Sequence, residues 1–127
     1  MSKSVVRTDA APAPFQGAPY NQAIVANGFV FVSGQGPLDP SGKRVEGGIA
    51  AETQQTFDNL AAILEAAGSS LDKVVRAGVF MIDLGEFAEM NEVYKERMPA
   101  PHPARMTVQA AALPGGIRVE IDVVALV

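Results

Sequence analysis

Between positions 104 and 125 the chain twice repeats a period of two, and that alternation constrains the fold more than any other feature. Side chains along a strand point to opposite faces. Ala104, Met106, Val108 and Ala110 therefore form one apolar side, and Arg105, Thr107 and Gln109 form a polar one. Likewise Val119, Ile121, Val123 and Ala125 oppose Arg118, Glu120, Asp122 and Val124. Both segments read as strands of a sheet with one face buried and one face carrying charge.

The preceding segments supply the cover. YNQAIVANGFVFVSGQ reads as two strands joined at Asn27-Gly28, a pair suited to a tight hairpin turn. Gly and Pro crowd GPLDPSGKRVEGG, an irregular loop with a turn at Pro40-Ser41-Gly42. Ile49, Thr53, Phe57, Leu60 and Leu64 recur at helical spacing, predicting a helix from about Ile49 to Ala67 that Gly68 ends. LDKVVRAGVFMIDL reads as a long strand in which Val75, Ala77, Val79 and Met81 oppose Val74, Arg76, Gly78, Phe80 and Ile82. Its low polarity on both sides predicts a position inside the sheet. A second helix is predicted from about Glu86 to Met98, with Phe87, Met90, Tyr94 and Met98 inward and Pro99 as its stop.

The order β-β-α-β-α-β-β implies an α+β sandwich, a mixed sheet with two helices on one face. Residues 1–14 are expected to be an extended or loop-like lead-in, with the folded part beginning near Pro19. A local reading also suggests a simple hairpin across Leu113 to Gly116.

A chain of 127 residues, 48% of them hydrophobic, fits a single domain spanning 1–127. Its net charge of −4 argues against nucleic-acid partners, which require clustered basic residues. The absence of cysteine excludes disulfides and thiol chemistry. His102, the one histidine, stands between two prolines and reads as a loop residue rather than a metal ligand. No apolar run is long enough to span a bilayer, so a soluble, cytoplasmic protein without membrane contacts is expected.

Nothing within a chain of this size is left over to cover the second sheet face, whose fate is solvent, a subunit interface or a ligand cleft. Gly34, Gly36, Pro37, Pro103, Pro114, Gly115 and Gly116 gather beside the polar strands, which suits close backbone approach at a site. An arginine together with carboxylates and hydroxyls suits binding a small carboxylate and moving a proton.

APYNQA (18–23), VSGQ (32–35), TQQTFDNLAAILEAAG (53–68), VFMIDLGEFAEMNEVY (79–94), PAR (103–105) and LPGGIRVEID (113–122) together resemble the RidA family, also called YjgF or L-PSP. The resemblance covers the chain from about Pro14 onward. It implies a chorismate-mutase-like (ferredoxin-like) homotrimer with a central barrel of three sheets and ligand clefts between subunits. It also implies that the strand near 73–82 lies beside that near 103–110, which displaces the simple hairpin.

The implied chemistry is hydrolysis of 2-imino and enamine acids, such as 2-aminoacrylate, to 2-keto acids and ammonia, with no metal and no cofactor. Arg105 would bind the substrate carboxylate with its planar fork. Glu120 would handle protons, with partial burial raising its pKa. Tyr20 and Ser33 match family positions that hydrogen-bond substrate or water, Gly34 would let the backbone approach, and Asn91 would organise the cleft. Thr107 would bind substrate through its backbone N–H and hydroxyl, standing where some members carry Cys, and Asn21 stands where many carry Ser. The alternatives are a non-enzymatic trimeric ligand-binding or chaperone-like protein, and a deaminase dedicated to one catabolic enamine.

Overall fold

The computed structural model describes residues 2–127. Six strands form one mixed sheet in the spatial order β1-β2-β3-β6-β4-β5. They are β1 (Ser4–Val6), β2 (Ala23–Ala26), β3 (Phe29–Gln35), β4 (Val74–Met81), β5 (Ala104–Gln109) and β6 (Val119–Leu126). All neighbours are antiparallel except β4 and β5, which run parallel. A parallel pair needs a long crossover. Helix α2 (Phe87–Arg97) supplies it, and α1 (Gly48–Ala66) joins β3 to β4.

The hairpin at residues 27 and 28 forms as expected. Asn27 and Gly28 both take positive φ, 52° and 82°, the requirement of a type I′ turn. The helical stripe is also as expected: Ile49, Thr53, Phe57, Leu60 and Leu64 are all buried. The two threonines add no unmet polar group to that core in α1. Thr53 donates to Ile49 O at 2.7 Å and Thr56 to Glu52 O at 2.8 Å. Met90, Tyr94 and Met98 close the core from the α2 side, against Val79, Met81, Val119, Ile121 and Val123 of the sheet.

Four readings of the sequence change, one of them, the local hairpin, already displaced by the family resemblance. The lead-in contains β1, which pairs with β2 and buries Val6, so the fold begins before Pro19 and has one strand more than expected. The pairing of β4 with β6 shifts register between Val74 and Arg76. At such a bulge the facing alternation is broken, so Val74 is buried and Val75 is exposed. The strands β5 and β6 form no hairpin, because β4 lies between them, as the family resemblance implied.

The fourth change concerns which side of β5 faces the helices. Register places Arg105, Thr107 and Gln109 opposite Ala77, Val79 and Met81, the core-facing residues of β4. Met106 and Val108 instead pair with Gly78 and Phe80 on the uncovered face. The apolar side of β5 is therefore the uncovered one. Alternation separates two sides of a strand, but only pairing with neighbours decides which side meets the helices.

In β6 the expectation holds, since Glu120 and Asp122 pair with Phe80 and Gly78 on that uncovered face. Around them the face is apolar, with Phe31 48% exposed and Met106, Val108 and Leu126 also open. No described helix is long and apolar enough to cross a membrane.

Candidate active site

A cleft of about 680 Å³ opens where the end of β3 meets the start of β6. Tyr20, Ser33, Gly34 and Glu120 line it together. Four of the residues singled out from sequence thus share one concavity.

Two backbone features let Glu120 sit there. Gly34 lacks a side chain where one would collide: a Cβ built on it would lie 2.9 Å from the Glu120 carboxyl carbon. Between Val32 and Gln35 the pairing of β3 with β6 shifts register, which breaks the ladder beside the carboxylate. Burial raises the Glu120 pKa above its ordinary value, and the nearby Asp122 charge raises it further. Asp122 has its own recess, since a Cβ on Gly78 would collide with its carboxylate. Its Oδ1 is buried without a hydrogen-bond partner among the described residues, with Arg76 Nη1 4.0 Å away.

The hydroxyls of the cleft differ in what they can offer. The Tyr20 oxygen accepts the Phe15 N–H at 3.2 Å, which leaves its own proton free to donate. Ser33 spends its proton on Asn21 O at 2.6 Å, so its oxygen is left as an acceptor. One wall comes from the N-terminal segment, through Pro12, Pro14 and Phe15.

That wall is held by Gln22, a residue that sequence reasoning did not single out. Its side chain is 3% exposed, accepts the Thr8 N–H at 2.8 Å and donates to Pro12 O at 2.9 Å. A buried amide with such partners is costly to replace. The available signal was a lone glutamine between the tyrosine and an apolar strand.

Arg105, Asn91 and Thr107 form a second cluster, on the helix side of the sheet. Arg105 donates from Nη1 to Asn91 Oδ1 at 2.7 Å. Its guanidinium lies 4.5 Å from the Tyr94 ring centre and 5.5 Å from that of Phe87. The stacking fixes the plane of the group. Four further N–H donors of an exposed guanidinium stay available, enough for a two-pronged grip on a carboxylate. Thr107 Oγ1 and the Tyr94 hydroxyl are buried without partners among the described residues. Burial raises the Tyr94 pKa, with the Arg105 charge opposing, and the phenol stays neutral.

One chain does not bring the two clusters together. Arg105 neighbours Ala77 on the covered side and Glu120 neighbours Phe80 on the uncovered side. The cation and the carboxylate expected to share one polar face lie on opposite faces of the sheet. Among the described residues, no group of three or more His, Asp or Glu side chains is arranged to hold a metal ion.

Comparison with known proteins gives this geometry a context. A family model described as Endoribonuclease L-PSP matches residues 8–127. A RutC family protein of Pyrococcus abyssi is 44% identical over 126 residues, 98% of each chain. The 2-iminobutanoate/2-iminopropanoate deaminase of Bos taurus is 41% identical over 125 residues, 98% of this chain and 90% of the bovine one. The crystal structure of RidA from a Psychrobacter species superposes with a TM-score of 0.92 at 41% identity, covering 98% of this chain and 99% of that one.

Proposed function

Because this chain belongs to the Rid, or L-PSP, family, we propose that it is an imine deaminase that hydrolyses 2-imino acids and their enamine tautomers to 2-keto acids and ammonia. The observation that carries this reading is Glu120, a half-buried carboxylate with a raised pKa, pressed against Gly34 in a cleft that Tyr20 and Ser33 share. A base of that kind works best when its pKa approaches the working pH.

The chemistry asks for few groups. An imine carbon is already electrophilic, so water can add to it once a base takes a proton from that water. Glu120 takes that proton and passes it to the nitrogen as the C–O bond forms; the added hydroxyl then gives up its proton in the same way, the C–N bond breaks, and a 2-keto acid and ammonia result. When the substrate arrives as an enamine such as 2-aminoacrylate, Glu120 in its protonated form first delivers a proton to the methylene carbon and the nitrogen gives one up to solvent, which leaves the imine and a carboxylate ready to act on water. Tyr20 donates its free proton to substrate or water, and Ser33 accepts. No metal or organic cofactor is required for these steps.

The carboxylate anchor has to come from elsewhere, since Arg105 is remote from Glu120 within one chain. We assign it to Arg105 of the partner subunit in a homotrimer whose barrel is built from the uncovered faces. Phe31, Phe80, Val124, Met106 and Val108 give that face the apolar character expected of an obligate interface. Arg105, Asn91 and Thr107 would then supply the rim of the cleft opposite Glu120. The endoribonuclease reading in the family's description has less support here, because a net charge of −4 leaves little to neutralise phosphates.

The test is an assay in which an amino-acid oxidase generates the imine and semicarbazide traps it. Faster loss of the trappable species with protein present is expected, and no change at any protein concentration would remove the reading. Gly34→Ala gives a sharper result. Its methyl group displaces the Glu120 side chain, whose far end is flexible, so the fold survives. A kcat loss of about 10- to 100-fold is expected from misplacing a catalytic group, and melting temperature serves as the folding control.

A further inference from the structure

Arg44 carries a charge that the chemistry above does not use. It lines the same cleft as Glu120, and among the described lining residues these two are the arginine and carboxylate side chains. The cleft's volume of about 680 Å³ lies in the range that encloses drug-sized ligands. A small imino acid with a methyl or ethyl side chain would fill only a fraction of it. The space beyond is walled by Phe15, Leu38 and Ile117, with Arg44 as its cation.

The arginine is held in place. Leu38 and Arg44 pair as an antiparallel bridge. The turn between them is closed by Asp39, whose carboxylate accepts the N–H groups of Ser41 and Lys43 at 2.9 and 3.0 Å. Asn59, buried on α1, donates to Leu38 O at 2.7 Å and so fixes the loop to the helix. From below, Glu52, 2% exposed, accepts one N–H of Arg44 at 2.7 Å. That carboxylate is shared, because it also accepts the backbone N–H of Arg118 at 2.8 Å and lies 3.5 Å from the Arg118 guanidinium.

Among the described residues the other N–H donors of Arg44 have no hydrogen-bond partner, and its side chain is 40% exposed. A positively charged fork, oriented by a buried carboxylate and open toward a cleft, suits an anion.

We propose that Arg44 is a specificity residue that receives a second, distal carboxylate of the substrate, so that this chain prefers imines of dicarboxylic amino acids. The inference rests on the imine-deaminase reading and extends it. The distal carboxylate takes no part in the reaction: water still adds at C2, the C–N bond breaks, and ammonia leaves.

The experiment compares imines generated in situ from glutamate and from 2-aminobutyrate, with semicarbazide trapping as the readout. A charge-assisted hydrogen bond pair makes the wild-type kcat/KM for the glutamate-derived imine about tenfold the higher of the two. Arg44→Gln is expected to remove that preference, Arg44→Lys to keep part of it, and about 0.5 M salt to shrink it. A wild-type ratio at or below one overturns the proposal. So does an equal loss on both substrates in Arg44→Gln, which would make Arg44 a structural partner of Glu52.

If Arg44→Gln fails to fold, the wild-type ratio and its salt dependence decide. If no imine at all is hydrolysed, the deaminase reading fails, and calorimetric binding of glutarate decides for Arg44. Arg44-dependent binding would keep the cleft as a dicarboxylate site, and no binding would overturn it.

Discussion

Glu120→Gln is expected to lower kcat for imine hydrolysis by about 10²- to 10⁴-fold, the usual contribution of a positioned general base, while raising the melting temperature at neutral pH. The two effects have one cause. Burial and the Asp122 charge both disfavour the ionised carboxylate, so the folded state holds the Glu120 proton more tightly than the unfolded chain does. Its contribution to stability is fully present below the ordinary value of 4.5 and is lost as pH rises through the raised folded value. At neutral pH the wild type therefore carries an unfavourable buried charge that glutamine removes.

Melting curves at neutral pH and below pH 4 read the sign directly. The variant should be the more stable at neutral pH, and the gap should close in acid. In the wild type the acid limb of kcat/KM should lie above 4.5, and the variant should show no such limb. A variant that keeps full activity would exclude Glu120 as the base.

Arg105→Ala is expected to reduce kcat/KM by about 10- to 100-fold, the value of a charge-assisted pair of hydrogen bonds. Stability should change little, because the arginine is exposed and its bond to Asn91 is a surface contact. If the carboxylate is held equally in ground and transition states, the loss falls on KM. Arg105→Lys restores charge without the planar fork or the stacking on Tyr94, so partial recovery is expected. Steady-state kinetics of the three proteins on one imine make the comparison. Equal kinetic constants in all three would leave Arg105 without a role in substrate binding.

Much of this was legible in the sequence because it depends on local periodicity. The stripe from Ile49 to Leu64, the Asn27-Gly28 turn and the alternation in β6 are properties of short windows, and the structure has each of them. What failed depends on pairing. The side of β5 that meets α2 is set by register with β4, and the exposure of Val75 follows from a bulge beside it. Neither is written in the segment itself.

The site divides in the same way. Tyr20 and Ser33 were found through the family resemblance, Gly34 and Glu120 also from their place beside and on the polar strands, and one cleft unites them. Arg105 and Glu120 were expected on one polar face, because alternation made both segments polar on one side. Their separation across the sheet needs the topology. Gln22 and Arg44 escaped notice because their roles come from what they touch: the chain at Thr8 and Pro12 for one, Glu52 for the other.

A site composed from two copies of the chain is tested most directly by complementation. Arg105→Ala and Glu120→Gln proteins are mixed in equal amounts, dissociated, reassembled and assayed well below KM, where each alone keeps at most about a tenth of wild-type activity. In a cyclic trimer with random mixing, about a quarter of the clefts regain an intact Arg105 from one subunit and an intact Glu120 from the next. Activity near a quarter of wild type is therefore expected. Mixed trimers that are present by mass spectrometry and restore nothing would contradict a shared site.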